Sequence, residues 1–268
     1  MPRKPFSGKS KAYLLFSSSL WRIKQLIDFG VVGIDAELEK NIQPHLTKLE
    51  SVKGIRGRIP KNFAPSFKEV HDEKAGVFSF IFDQRSAAFY KRKLELRYKR
   101  HDELRYFFYA NLATSLWAAF ETYNTTLFEE LFRLRPEMLK SSEQLTVKEV
   151  VDNRDDLVEF IIERQLEIIG HFRLKEIVEY YKKKTGIEVS DERLKRLEPY
   201  YLVRNLIAHK NGVVRPRQKI KVSKDLYIVG DEVRVTKTFL LRMANLLESN
   251  VKFIEAHACE KYFKLKPN

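Results

Sequence analysis

The stretch from about His101 to Leu134 constrains the fold more than any other part of the chain. At helical spacing, Phe108, Leu112, Leu116, Ala119, Tyr123, Leu127 and Leu131 fall along one side, and Tyr109, Trp117, Phe120 and Phe128 along another. A helix apolar on two sides must be covered over most of its circumference, so other helices have to pack around it. It ends before Pro136, which cannot continue the hydrogen-bond ladder. Its uncharged run, Tyr106 to Phe120, contains Asn111, Thr114 and Ser115 and falls short of the roughly 20 apolar residues that cross a bilayer. It reads as a buried core helix, and no membrane partner is expected. Glu121 is the first charge after that run; a partly buried carboxylate there calls for a cationic partner, with Arg204 and His209 as candidates.

With 268 residues, 44% of them hydrophobic, the chain can bury one good core, or one core and a smaller appendage. The formal net charge of +14 points to a polyanionic partner, RNA or DNA before a membrane surface. Cys259 is the single cysteine, which excludes an intramolecular disulfide and any cysteine-based zinc cluster and fits a reducing cytoplasm. The N-terminus imitates a secretory signal only faintly. Arg22 and Lys24 interrupt the apolar segment, no small-residue cleavage site follows, and Trp21, Ile23, Leu26 and Ile27 continue an amphipathic helix.

Periodicity predicts a helix from about Ala12 to Phe29 and a second from about Asp35 to Ser51. The glycines, prolines and cations from Lys53 to Pro65 read as a basic linker. This organises the chain as an N-terminal helical extension and linker over residues 1–80, with a helical domain over 81–268. A basic helix from Asp83 to about Arg100 precedes the long helix, whose start is placed at His101-Asp102-Glu103. Thr146 and Glu149 form a capping box; Asp155 or Asp156 opens a helix read as running to about Tyr181 and stopping at Gly186; Ser190 caps the next. After Gly212 the period changes. Arg215, Arg217, Lys219 and Lys221 alternate with other residues so that a strand would align them on one side, and Gly230-Asp231 makes a hairpin turn between Leu226–Val229 and Val233–Val235. A final amphipathic helix runs from Thr236 to about Phe263.

The segment that carries chemistry is Tyr200-Tyr201-Leu202-Val203-Arg204-Asn205-Leu206-Ile207-Ala208-His209-Lys210-Asn211-Gly212. In a helix, Asn205 and His209 are one turn apart on one face, and Arg204 lies about 140° round from His209, within reach of a shared anion. Asn211-Gly212 is a left-handed stop, so His209 sits in the last turn, where unpaired carbonyls interact favourably with a protonated imidazole. An Arg-to-His spacing alone recurs easily in so basic a chain, and the context carries the weight. Arg164 to His171 is a looser match, read as less suited because His171 is expected inside a continuing apolar helix.

Arginine, a polar residue, a short spacer and histidine at the end of the last core helix resemble the signature of the HEPN superfamily. The resemblance extends over roughly residues 100–265. It implies a mainly α fold, a helical bundle of HEPN type here followed by a small β-hairpin appendage near residues 215–236. It further implies a metal-independent endoribonuclease of the toxin–antitoxin, abortive-infection or antiphage kind, acting as a homodimer, with no cofactor and possible control by an antitoxin or regulatory partner. By position, Arg204, Asn205 and His209 would be catalytic and Glu121 a supporting residue; Lys210, Arg215, Arg217, Lys219 and Lys221 are the candidate RNA-binding cations.

The chemistry agrees with that set. Attack of a 2′-hydroxyl on its phosphate needs a group with a movable proton and a fixed cation for the phosphoryl oxygens, which His209 and Arg204 supply. One histidine cannot be both acid and base in one monomeric site, a chemical reason for pairing two motifs. The six histidines lack metal-ligand spacing, and there is no HExxH, P-loop or Rossmann fingerprint. The alternative is a non-catalytic HEPN-like module that binds RNA or a protein partner without cutting.

Overall fold

The computed structural model describes residues 9–30, 32–52, 67–72, 77–139, 145–215 and 225–263. The chain is mainly α, with small antiparallel hairpins, and it divides into two compact units, Asp28–Phe108 and the pair of segments Met1–Ile27 and Tyr109–Asn268. The sequence reading divides the chain after residue 80 instead, beyond the glycine and proline cluster of Lys53 to Pro65, which lies outside the described residues. The unit boundary falls inside a continuous helix, where glycine and proline give no signal.

In the unit Asp28–Phe108, helix α2 (Val32–Ala36), a π-helical stretch (Glu37–Ile42) and α3 (Gln43–Lys48) take the place of the single helix expected there. Leu38 and Ile42 are buried. A hairpin of β1 (Phe67–Asp72) and β2 (Val77–Phe82) follows, with Phe67 opposite Phe82 and Asp72 opposite Val77. Asp83 then starts α4 (Gln84–Leu134), its carboxylate accepting hydrogen bonds from the backbone N–H groups of Arg85 and Ser86 and from the Ser86 hydroxyl. These bonds hold its pKa below the ordinary aspartate value. The two helices expected over 83–134 are therefore one: His101-Asp102-Glu103 sits inside α4, and Asp102 pairs with Arg105 one turn on rather than capping a start. Lys91 ties α4 to the end of the α3 region by donating to the carbonyls of Glu50 and Val52.

In the other unit, the second half of α4 is the axis. Leu112, Leu116, Trp117, Phe120, Tyr123, Leu127, Phe128, Leu131 and Phe132 are all buried, so both apolar sides read from the sequence are covered. The covering elements touch it through rings: Phe16 of α1 (Lys11–Phe29) meets Tyr123 edge-on, Tyr181 of α7 (Leu174–Thr185) lies 4.6 Å from Phe128, and Tyr201 of α8 (Asp191–Lys210) lies 5.3 Å from Trp117. The Thr146–Glu149 capping box opens α5 (Val147–Asp152). The helix expected to run on to Tyr181 is broken in two: α6 (Leu157–Gly170) ends at Gly170, residues 171–173 turn, and α7 begins at Leu174. Gly186, at φ 65°, provides the expected stop. Pro199 lies inside α8.

Beyond α8, Gly230 turns the two-stranded hairpin of β3 (Leu226–Val229) and β4 (Glu232–Val235), and Val213 bridges back to Glu232. The backbone N–H of Val214 donates to Asp231 and that of Val233 to Gly212, which fastens the hairpin to the end of α8. The expected basic strand lies largely outside the described residues: Arg217, Lys219 and Lys221 are not among them, and Arg215 is exposed. Thr236 caps α9 (Lys237–Ala258), which a π-helical turn (Cys259–Phe263) extends.

Glu255 of α9 anchors the start of α1. Its buried carboxylate accepts from the Ser10 backbone N–H and hydroxyl at 2.7 Å each, from the Cys259 thiol at 3.2 Å and from the Tyr123 hydroxyl at 3.3 Å. Glu255→Met keeps the bulk but leaves these donors buried without an acceptor, a cost of roughly 1–3 kcal/mol for each one left unsatisfied. The expected result is a clearly lower urea midpoint at unchanged slope; an unaltered midpoint would show that the carboxylate contributes nothing to stability.

Candidate functional site

Helix α8 builds the site at its C-terminal end. The Ser190 hydroxyl accepts from the Arg193 backbone N–H to start the helix, and Asn211 stops it in the left-handed region at φ 49°. The backbone N–H of Gly212 then donates to the Leu206 carbonyl at 2.9 Å, satisfying one acceptor of the last turn. Val203 and Leu206 face the core and are buried, while Arg204 and Asn205 are half-buried and His209 is exposed. The apolar residues of the motif thus fix which way its polar residues face.

Arg204 is held on two sides. Its guanidinium donates through Nη2 to Glu121 Oε2 at 2.8 Å and through Nη1 to Asn205 Oδ1 at 2.9 Å. The second bond orients the Asn205 amide, since its oxygen is occupied and the Nδ2 hydrogens remain for a ligand. The first bond joins the motif helix to the central helix at the residue where the uncharged run of α4 ends. The arginine side chain is 18% exposed and the Glu121 side chain 43%. Burial pushes the Glu121 carboxyl above the ordinary glutamate value; the Arg204 charge, a hydrogen bond from Trp117 and the His209 charge each pull it back.

These residues border a cleft of about 470 Å³ lined by Glu121, Tyr201, Arg204, Asn205, His209 and Lys210 together with Gly170, His171 and Phe172. That volume lies within the range of small-molecule sites, roughly 300–1,000 Å³. A recess of about 30 Å³ adjoins it, sharing Glu121, Gly170, Phe172 and Tyr201 and including Trp117, with room for about one water. Five of the residues singled out in the sequence, Glu121, Arg204, Asn205, His209 and Lys210, therefore share one cavity. Arg215 is not among its lining residues.

The sequence reading missed the other side of the cleft. His171 was expected within a continuing helix. It is instead exposed at the end of α6, where its backbone N–H closes a tight turn onto Ile168, because the chain breaks at Gly170. The available signal was the glycine itself, with Glu176 positioned to accept from the Arg173 backbone N–H at the start of the next helix. Arg164, the other end of that looser motif, pairs with Glu149 at 2.8 Å and does not line the cleft.

Among the described residues no group of three or more histidine, cysteine or carboxylate side chains could hold a metal ion, and no helix is long and apolar enough to cross a membrane. Cys259 is buried, and burial with the adjacent Glu255 raises its thiol to about 12, which disfavours the nucleophilic thiolate. Comparison with protein families, curated proteins and solved structures finds no match to this chain.

The Glu121–Arg204 pair has a titration signature. The native protein holds the Glu121 proton more tightly than the unfolded chain does. Its contribution favours folding below the ordinary glutamate range and is lost as the pH rises through the raised value. In a ¹³C NMR titration the Glu121 side chain is expected to change above the usual glutamate midpoint, and further up still in Arg204→Ala, which removes the largest of the influences lowering it. A wild-type midpoint at or below the usual value would refute this account of the pair.

Proposed function

We propose that this chain is a metal-independent endoribonuclease whose catalytic residues are Arg204, Asn205 and His209. The observation that carries the reading is that a guanidinium, an amide and an imidazole, brought to one cleft by the end of α8, match what phosphodiester transfer requires, with the arginine already braced by Glu121. The motif's resemblance to the HEPN signature supports the same assignment, and so does the net charge of +14, since a polyanionic substrate is drawn to a cationic surface.

In this reading the Arg204 guanidinium and the Asn205 Nδ2 hydrogens bind the phosphoryl oxygens, and both gain strength as negative charge builds on them. The charge on Arg204 is permanent, whereas Glu121 restricts its rotamers, so less entropy is lost when the phosphate arrives. His209 exchanges a proton with the 2′-hydroxyl or the departing 5′-oxygen. Lys210, on the same cleft, adds a positive charge for the flanking backbone, a role that Arg215, Arg217, Lys219 and Lys221 would extend along the strand. The products are a 2′,3′-cyclic phosphate and a 5′-hydroxyl. A homodimer and a role as a toxin or antiphage effector under an antitoxin or other regulator complete the proposal.

Purified protein incubated with total RNA in EDTA is expected to cleave it, leaving cyclic phosphate ends. His209→Ala should lower the rate by about 10²–10⁴-fold, and Arg204→Ala by about 10²–10³-fold. Expression of the wild type should slow growth, with relief by either substitution. Full activity in His209→Ala would remove the assignment. Equal, salt-sensitive RNA binding by all three proteins with cleavage by none would identify a binding module instead.

A further inference from the structure

We infer that His171 is a second proton-transfer residue of the same cleft, so that one chain carries both the general acid and the general base. This rests on the ribonuclease reading above and changes what it requires. His171 and His209 come from different elements, the end of α6 and the last turn of α8, and both line the cavity that contains Arg204 and Asn205. Both residues are exposed. Among the described residues neither imidazole is engaged in a hydrogen bond, in contrast to His257, whose Nδ1 lies 2.8 Å from the Phe253 carbonyl oxygen. Gly170 lines the cleft beside His171, and a Cβ placed there would meet nothing within 4 Å, so the backbone leaves that side open.

The chemistry supplies the need. In an in-line displacement the attacking 2′-oxygen and the departing 5′-oxygen lie on opposite sides of phosphorus, so one imidazole cannot touch both. With two, a neutral imidazole takes the 2′-hydroxyl proton as the O2′–P bond forms. A protonated imidazole gives its proton to the 5′-oxygen as the P–O5′ bond breaks. Protons and electrons balance, and exchange with water restores the starting forms. A loose sequence match at Arg164–His171 thus acquires a role through its histidine alone. Pairing two motifs across a dimer is then unnecessary for proton transfer.

The test is the pH dependence of cleavage in EDTA by wild type, His171→Gln and His209→Gln. The other titratable or charged groups on the cleft are Glu121 of α4 and Tyr201, Arg204 and Lys210 of α8. A bell-shaped wild-type profile is expected. Each substitution should lower the maximal rate by about 10²–10⁴-fold and remove one limb, a different one in each variant. A substrate with sulfur in place of the bridging 5′-oxygen leaves without a proton, and should restore the rate of whichever variant lacks the acid. Co-expressed His171→Gln and His209→Gln chains should not recover activity, because each site needs both histidines from one chain. If wild type cleaves, His209→Gln is inactive and His171→Gln keeps the full rate and both limbs, this inference fails while the ribonuclease reading stands. Recovery in the mixed protein would place the second proton carrier in the partner chain and overturn it equally. Absence of cleavage by the wild type would defeat the underlying reading and this inference with it. Because His171 is exposed, an unchanged unfolding midpoint in His171→Gln separates a chemical loss from a folding defect.

Discussion

Water has to be kept from two sides of α4 beyond Tyr109, leaving the stripe of Asn111, Ser115, Ala118 and Thr122 exposed, and the architecture of that unit follows from this requirement. A helix with Leu116, Leu127 and Leu131 on one side and Trp117, Phe120 and Phe128 on another cannot lie on a surface. At about 1.5–3 kcal/mol for each large apolar side chain removed from water, its burial is the dominant favourable term available to the unit. Rings from α1, α7 and α8 cover it, and that cover sets the position of the motif helix. The cleft therefore depends on a packing constraint before any of its own polar contacts form.

The Glu121–Arg204 pair marks where that apolar packing gives way to polar chemistry. Glu121 is the first charge past the uncharged run, so its carboxylate lies partly desolvated beside Trp117, and Arg204 partly offsets the cost. Removing one partner would leave the other half-buried and unpaired, which is more costly than the pair is favourable. The same contact fixes the guanidinium and, through it, the Asn205 amide. A structural ion pair and a pre-positioned anion site are here a single arrangement.

Local signals were read well where the physics is local. Ser190, the Thr146–Glu149 box, Thr236, the stop at Asn211-Gly212, Gly186 and the turn at Gly230 all act through near neighbours in the backbone, and each has the conformation its residue type favours. The misreadings came where a local signal competed with the rest of the fold. His101-Asp102-Glu103 resembles a helix start yet continues α4. Gly170 ends a helix whose apolar periodicity runs on, since Phe172, Leu174 and Ile177 keep the spacing across the break.

The sequence by itself determined that the chain is mainly helical, that one helix lies at the centre of a bundle, and that Arg204, Asn205 and His209 stand together near a helix end; periodicity and capping are properties of neighbouring residues. Only the tertiary structure decided that Glu121 reaches Arg204 across 83 positions and that His171 shares a cleft with His209. Such contacts depend on how helices pack and where one of them breaks. Packing is fixed by the sum of many side-chain contacts distant in sequence, which no spacing of a few residues encodes.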